Sequence, residues 1–375
     1  MKVSRWQGLI SRILMVAAVV IIMGTQATGC GYSGAAVRES GDRAADETAA
    51  VSITADEVAY DERFDSELFA MDTFMTLTAY GPHATEALEK AGEEIQRLEA
   101  ILSTGLEDSE VSKINSMGEG VMTEVPASLM ASSIELWKKT DGAFNPAILP
   151  VMRLWGFTDG SFRVPEEDEL QAALALLDVS LIDFDQETGR VSFGKEGMAV
   201  DFGGIAKGYT SARIMDIFAE CGVTSAMVNL GGNVQTYGTK PDGKKWKIAV
   251  QDPKKEGNYL CIIDSAGQAI ITSGGYERYF EEDGVRYHHI IDPSDGYPAD
   301  NGLVSVTIVS ADGTLADGLS TSLFVMGRDK AIDYWREHSG EFEMVLYTDG
   351  GELLATEGLK DILTSEYAVT YIGST

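Results

Sequence analysis

The spacing of apolar residues changes repeatedly along the chain and predicts both helices and strands. Apolar residues recur every three to four positions in residues 84–102, which predicts an amphipathic helix. The same helical spacing is found at 126–140, 166–177, 208–220, 314–325 and 329–338. Shorter runs of β-branched and apolar residues predict strands at 71–80, 199–202, 226–230, 246–251, 261–264, 269–272, 304–310, 343–348 and 367–372. Because strands cluster between pairs of helices without strict alternation, the predicted fold class is mixed α/β, of the α+β kind.

The first 29 residues follow a different pattern. Three basic residues precede an apolar run at 13–23, and the small residues at 27–29 precede Cys30. This order is typical of a secretory signal, and the run is short for a membrane-spanning helix. Cys30 after small residues resembles the bacterial lipobox, in which the cysteine becomes the acylated first residue. An ordinary cleaved signal and an uncleaved anchor are the alternatives, and all three predict a domain outside the cytoplasm.

A flexible tether is predicted between the signal and the folded part. Residues 30–67 are rich in Ala, Gly, Ser, Asp and Glu and show little apolar periodicity. The sequence therefore predicts a signal at 1–29, a tether at 30–67 and one folded domain at 68–375. Cys221 and Cys261 are interpreted as buried free thiols, and no cysteine spacing indicates zinc.

Composition and charge limit the possible partners. The chain has 375 residues, of which 44% are hydrophobic, so it can bury a substantial core. Its formal net charge of −30 repels nucleic acid and anionic lipid headgroups, which argues against a nucleic-acid-binding function. A phosphate-bearing ligand would need a local positive charge to bind.

Pairs of glycines follow three of the predicted strands. Residues 201–208 (DFGGIAKG) place two glycines and Lys207 before a predicted helix, and 229–233 and 272–278 repeat the glycine pair. Glycine lets backbone groups approach a ligand closely, and a helix N-terminus attracts phosphate. Neither the Walker nor the GxGxxG spacing is present. Each pair alone could be an ordinary turn, but together they predict a cleft lined by backbone.

Two further segments carry groups suited to chemistry. His288 and His289 are two of the four histidines, and neighbours on a strand point to opposite faces, so at most one is expected to line a site. Asp317 and Thr321 are four residues apart on a predicted helix and share a face. A carboxylate and a hydroxyl are ligands that suit Mg²⁺. The alternative is that this segment only caps the start of its helix.

Taken in order, these segments resemble the FAD:protein FMN transferase family, the ApbE lipoproteins. The resemblance covers most of residues 68–327. It rests on the segments 71–73 (MDT), 109–115 (SEVSKIN), 141–146 (DGAFNP), 154–156 (LWG), 201–208 (DFGGIAKG), 229–232 (NLGG), 272–274 (TSG), 289–293 (HIIDP) and 317–321 (DGLST). The order and number of these segments carry the resemblance, and the residues after about 327 add little to it.

The resemblance implies a T-fold-like mixed α/β architecture with FAD in a central cleft and Mg²⁺ on its diphosphate. It implies transfer of FMN from FAD to a Thr or Ser hydroxyl of an acceptor protein, with release of AMP. It also implies an acceptor in an extracytoplasmic redox complex and anchoring to the bacterial cell membrane through Cys30.

Roles for individual residues also follow from the resemblance. It implies metal ligation by the Gly204 carbonyl, Asp317 and Thr321, with His289 as catalytic base. It implies FAD contacts at Met71, Ala143, Phe144, Asn145, Lys207 and Ile291. Two positions depart from the family pattern: Asn145 stands where the family often has Asp, and Gly105 where an aromatic residue often follows Ser-Thr. These departures leave two alternatives open, a Mg²⁺-dependent FAD pyrophosphatase and a non-catalytic FAD-binding lipoprotein.

Overall fold

The computed structural model describes residues 58–374. The predicted signal, Cys30 and the tether up to residue 57 lie outside the described residues. Among the described residues, no helix combines the length and the hydropathy needed to cross a membrane.

The described chain contains both strands and helices. The strands are β1 (Arg63–Ala70), β2 (Thr73–Tyr80), β3 (Glu119–Val121), β4 (Ile182–Asp185), β5 (Arg190–Phe193), β6 (Ala226–Leu230), β7 (Asn233–Tyr237), β8 (Trp246–Gln251), β9 (Tyr259–Ser265), β10 (Ala269–Gly274), β11 (Tyr279–Glu282), β12 (Val285–His288), β13 (Leu303–Ser310), β14 (Glu343–Thr348), β15 (Leu353–Thr356), β16 (Leu363–Thr364) and β17 (Val369–Ile372). The α-helices are α1 (Ala84–Leu102), α2 (Glu110–Met117), α3 (Glu124–Lys139), α4 (Leu149–Leu154), α5 (Glu167–Leu174), α6 (Ala206–Glu220), α7 (Gly313–Met326) and α8 (Arg328–Glu337).

A nine-stranded sheet forms the centre of the fold, in the order β1-β2-β6-β7-β10-β13-β14-β15-β17. Neighbouring strands are antiparallel except β15 and β17, which are parallel. The remaining strands form the smaller sheets β16-β9-β8, β3-β5-β4 and β11-β12. The mixed α/β prediction is therefore confirmed.

Alternation along the central strands separates two hydrophobic cores. On β13, Ile308 packs in the cluster that contains Leu319 and Leu323 of α7. The next residue, Val309, packs on the opposite face with Trp246 and other residues of the β8-β9-β16 sheet. Successive side chains of a strand point to opposite faces, so one strand contributes to both cores. The result is three layers: helices, central sheet and small sheet.

Three sequence predictions about local structure were wrong. Strand β1 begins at Arg63 and pairs with β2 along its length, so the folded part starts earlier than Leu68. The segment 199–202 is not a strand, because the side chain of Asn115 occupies its backbone groups instead: Oδ1 accepts from Val200 N at 2.7 Å and Nδ2 donates to Val200 O at 2.8 Å. Cys261 is buried and free as predicted, but the free Cys221 is only half-buried.

Candidate active site

The N-terminus of α6 is capped by a side chain from another helix. Its own N-cap residue, Ile205, has no side-chain oxygen to accept a hydrogen bond. Instead, the backbone N–H of Gly208 donates to Oδ2 of Asp317 at 2.8 Å, from α7. This bond satisfies one of the backbone donors that a helix leaves free in its first turn. Lys207 lies within that turn, since α6 begins two residues before the predicted start.

Helices α6 and α7 meet through glycine. A Cβ on Gly208 would lie 2.1 Å from the carbonyl oxygen of Gly313 and 2.6 Å from Cβ of Asp317. No side chain fits between the two backbones, so only glycine permits this approach. The close contact holds Asp317 directly beside the turn that carries Lys207.

The Asp317 carboxylate is buried and held at both oxygens. Its side chain is 5% exposed, and Oδ1 accepts a second bond from Nδ2 of Asn233 at 2.9 Å. Burial raises the pKa of Asp317, because a desolvated carboxylate is costly, while the charge of Lys207 and these hydrogen bonds act in the opposite direction. A bound cation would offset this cost.

The oxygen groups around Asp317 suit a magnesium ion. Thr321 lies one turn further along α7, and its hydroxyl is 3.2 Å from that of Ser273 at the end of β10. The described residues contain no group of three His, Cys, Asp or Glu that could hold a metal. One carboxylate with hydroxyl and carbonyl oxygens fits Mg²⁺, which usually takes one or two carboxylates and fills its remaining positions with water and substrate phosphate.

His289 lies close enough to Lys207 for the charge of that residue to affect its imidazole. The β12 strand ends at His288, so the two histidines have different surroundings: Nε2 of His288 lies 3.2 Å from Ala299 O, and Nδ1 of His289 lies 3.1 Å from Arg278 O. A carbonyl only accepts, so Nδ1 of neutral His289 carries the proton and Nε2 is left as an acceptor. The pKa of His289 falls to about 3, mainly because the ring is desolvated; the hydrogen bond to Arg278 O opposes this fall, and the charges of Arg278 and Lys207 contribute to it.

The positive charge of Lys207 affects three nearby titratable side chains. It acts to lower the pKa of the Asp317 and Glu277 carboxyls and of the His289 imidazole. We call the region formed by Gly204, Lys207, His289 and Asp317 the central site. The structure thus brings together residues that the sequence placed in three separate segments.

Two residues beside the central site were missed by the sequence interpretation, Glu277 and Asn233. Burial raises the pKa of Glu277 to about 7; the charge of Lys207 opposes this rise and that of Asp317 adds to it. The side chain nevertheless stays exposed, so the site is open and water weakens this effect. Both residues follow glycine pairs that the sequence had already singled out, and that position is the signal that could have found them.

The predicted FAD contacts lie around the central site, but several of their side chains already contact other residues of the protein. Met71 is linked to α6 through its sulfur, 3.9 Å from the Thr210 hydroxyl. Phe144 is buried against Gly204, where a Cβ would lie 3.0 Å from the ring. Asn145 uses its amide to donate to Leu177 O at 2.9 Å and to accept from Ala147 N at 2.8 Å.

The remaining predicted contacts, Ala143 and Ile291, could contact a ligand mainly through their backbone atoms. Ala143 is half-buried beside the main core. Ile291 is buried in an aromatic cluster with Trp155 and Phe157. Any ligand contact at Phe144 or Ile291 would therefore involve backbone atoms. Two surface cavities of about 370 Å³ each are lined by residues other than these.

Known proteins resemble this chain over most of its length. A sequence model of the ApbE family matches residues 71–346. The chain belongs to the ApbE family. It is 32% identical over 292 residues to the FAD:protein FMN transferase of Treponema pallidum, covering 73% of this chain and 80% of that protein. It is 34% identical over 269 residues to a protein of the same description from Klebsiella pneumoniae, covering 69% of this chain and 81% of that protein.

Solved ApbE structures share the fold. The ApbE protein of Thermotoga maritima superposes with a TM-score of 0.75 at 35% identity, covering 80% of this chain and 99% of that one. The apo form of the flavinyl transferase ApbE of Pseudomonas stutzeri gives a TM-score of 0.72 at 29% identity, covering 80% of this chain and 97% of that one. The family and fold predicted from the sequence are both confirmed.

Proposed function

We propose that the chain is an FAD:protein FMN transferase. On this proposal it transfers FMN from FAD to a Thr or Ser hydroxyl of an acceptor protein and releases AMP. The observation that carries the proposal is that Lys207, at the capped N-terminus of α6, lies close enough to both Asp317 and His289 for its charge to affect them. The names of the relatives from Treponema pallidum and Klebsiella pneumoniae support the same activity.

Asp317, Thr321 and the Gly204 carbonyl are the proposed ligands of Mg²⁺. When bound, the ion supplies positive charge that neutralises the diphosphate and the leaving AMP. Lys207 adds a second positive charge for the phosphate oxygens. Phosphoryl transfer depends mainly on such neutralisation and on alignment, so a site with one carboxylate and one lysine is adequate for it.

His289 is the proposed base. Its Nε2 takes the proton of the acceptor hydroxyl while that oxygen forms a bond to the phosphorus of the FMN half. The bond from this phosphorus to the oxygen of the AMP half breaks, and AMP leaves with the bonding electrons. The Arg278 carbonyl holds Nδ1–H and therefore fixes the tautomer. An anionic diphosphate beside the ring raises the pKa of His289 from its low value, because an opposite charge favours the imidazolium.

Co-expression with an acceptor domain tests the activity. A domain carrying a single target Thr should gain one covalent FMN, seen as in-gel flavin fluorescence and in the intact mass. The same domain with that Thr replaced by Val is the matched control and should remain unlabelled. Release of free FMN from FAD at equal rates with and without acceptor would instead favour the pyrophosphatase, and recovery of unchanged FAD would favour the simple binding protein.

We also propose that Cys30 carries a lipid that anchors the chain to the bacterial cell membrane through the tether, with residues 58–374 outside the cytoplasm. The small residues before Cys30 and the apolar run before them support this location. Cys30→Ser should move the protein from the membrane fraction to the soluble exported fraction. A variant that stays in the membrane fraction would contradict acylation at Cys30 and favour an uncleaved anchor.

A further inference from the structure

Asn233 occupies an unusual place beside the central site. It is the first residue of β7 and is 3% exposed, although its side chain is polar. Its amide lies 2.9 Å from Asp317 Oδ1. Because an ionised carboxylate can only accept, the contacting atom is the NH₂ group. Asn233 and the Gly208 N–H thus each donate to a different oxygen of Asp317.

This arrangement fixes the carboxylate while leaving it free to bind a cation. Each carboxylate oxygen has two lone pairs, and each uses one on these donors. The remaining lone pairs are available to a metal ion. An amide is also neutral, so it orients Asp317 without adding a second negative charge. Partners that hydrogen-bond to a metal ligand typically change metal affinity by about 10- to 100-fold when removed.

We propose that Asn233 is a positioning residue that orients the Asp317 carboxylate and thereby sets the affinity of the central site for a divalent cation. The inference rests on the proposed function, since it assumes that Asp317 is a metal ligand. It assigns Asn233 no contact with FAD or with the acceptor.

Gln235 provides a matched control. It lies two residues along the same strand and therefore on the same face, and it is buried to a similar extent. Its Oε1 accepts from the Ser211 hydroxyl at 2.6 Å. Removing this amide perturbs the same buried layer without removing a donor to Asp317.

The test measures cation binding rather than turnover. Mn²⁺ serves as the probe because it takes oxygen ligands and is paramagnetic, and it is titrated by electron paramagnetic resonance with and without FAD. Asn233→Ala should bind Mn²⁺ about 10- to 100-fold more weakly than the unaltered chain. Gln235→Ala should keep the original affinity. An Asn233→Ala protein with the original affinity would overturn the inference.

An isosteric variant covers the case in which Asn233→Ala does not fold. Asn233→Leu keeps the approximate volume but removes the NH₂ donor to Asp317. A carboxylate without this donor should bind the cation more weakly, so less binding energy stabilises the folded state. The rise in melting temperature on adding Mn²⁺ should therefore be smaller in Asn233→Leu than in the unaltered chain. Equal rises would overturn the inference alone, whereas an unaltered chain that binds no Mn²⁺ even with FAD would overturn the proposed metal site as well.

Discussion

Asp317 accepts, at 2.8 Å, a hydrogen bond from Gly208 that the N-cap residue of α6 cannot accept. The proposed metal ligand and the helix turn that carries Lys207 are therefore one structural unit. A shift of α7 would move the carboxylate and remove the cap of α6 together. This linkage keeps the two charged groups in a fixed relative position.

Replacing Asp317 should abolish flavinylation and leave the fold intact. Asp317→Ala removes the only carboxylate proposed to bind Mg²⁺, so covalent labelling of an acceptor should fall to background. Asp312→Ala is the matched control on the same helix, because Asp312 caps α7 through Leu315 N and lies outside the central site. It should cost about 1 kcal/mol of stability and retain labelling. Labelling by Asp317→Ala at the unaltered rate would contradict the metal role.

His289→Gln should slow flavinylation by about 10²- to 10⁴-fold, the usual effect of losing a general base. The neighbour His288 supplies the control, because its ring faces Ala299 rather than Lys207. His288→Gln should therefore keep most of the activity. Initial rates of acceptor labelling, with circular dichroism to check folding, distinguish the two variants, and similar losses in both would argue against a specific role for His289.

The lowered pKa of His289 also predicts how stability depends on pH. The pKa falls from 6.5 to about 3 on folding, so the unfolded chain binds more protons between these values. This group therefore makes the free energy of unfolding decrease as the pH falls from about 6.5 towards 3. Urea denaturation of His289→Gln should show a shallower decrease in this window than the unaltered chain. Parallel curves would indicate that His289 is not desolvated in the folded state.

Glu277 should have the opposite effect. Its pKa rises from 4.5 to about 7 on folding, so the folded chain binds more protons in that window and loses stability as the pH increases through it. Glu277→Gln keeps the shape and removes the charge. The variant should melt at a higher temperature than the unaltered chain above pH 7, with the difference vanishing below about pH 4.5. A constant difference across the whole range would exclude this ionisation as its cause.

Gly208→Ala should damage both stability and cation binding. The added methyl group would strike the Gly313 carbonyl and force α6 and α7 apart. Gly92→Ala is a suitable control, because Gly92 lies in the interior of α1 with no heavy atom within 4 Å of the added Cβ. Alanine is favoured over glycine in a helix by about 1 kcal/mol, so this variant should be more stable. Thermal melting and Mn²⁺ titration measure both effects.

Periodicity predicted the elements that are regular and amphipathic. The bounds of α1, β6, β8 and β14 agree with the sequence predictions, since each presents a clear apolar face to a core. Residues 63–67 of β1 fall within the predicted tether, because Asp65 and Glu67 interrupt the apolar pattern. These two side chains lie on the exposed face of the strand. Strand β7 was missed because its buried positions include Asn233, Gln235 and Thr236, which carry no hydrophobic signal.

The sequence predicted those residues of the candidate site that lie within a recognisable motif. Lys207, His289 and Asp317 were each singled out by their segments, and the structure brings them together. The partners of Asp317 were not predictable, because Asn233 and Gly208 are 84 and 109 residues away from it in the chain. Long-range hydrogen bonds leave no periodic pattern, so only the folded chain reveals them.

The backbone contact between Gly208 and Gly313 has a consequence for evolution. A side chain acquired at either position collides with the backbone of the other helix, so neither glycine can be replaced without moving the helices apart. Descendants of this chain that keep the contact should therefore inherit both glycines. Related proteins that lack one of the two glycines should also lack Asp317, because without the hydrogen bond from Gly208 to Asp317 the two helices need not touch.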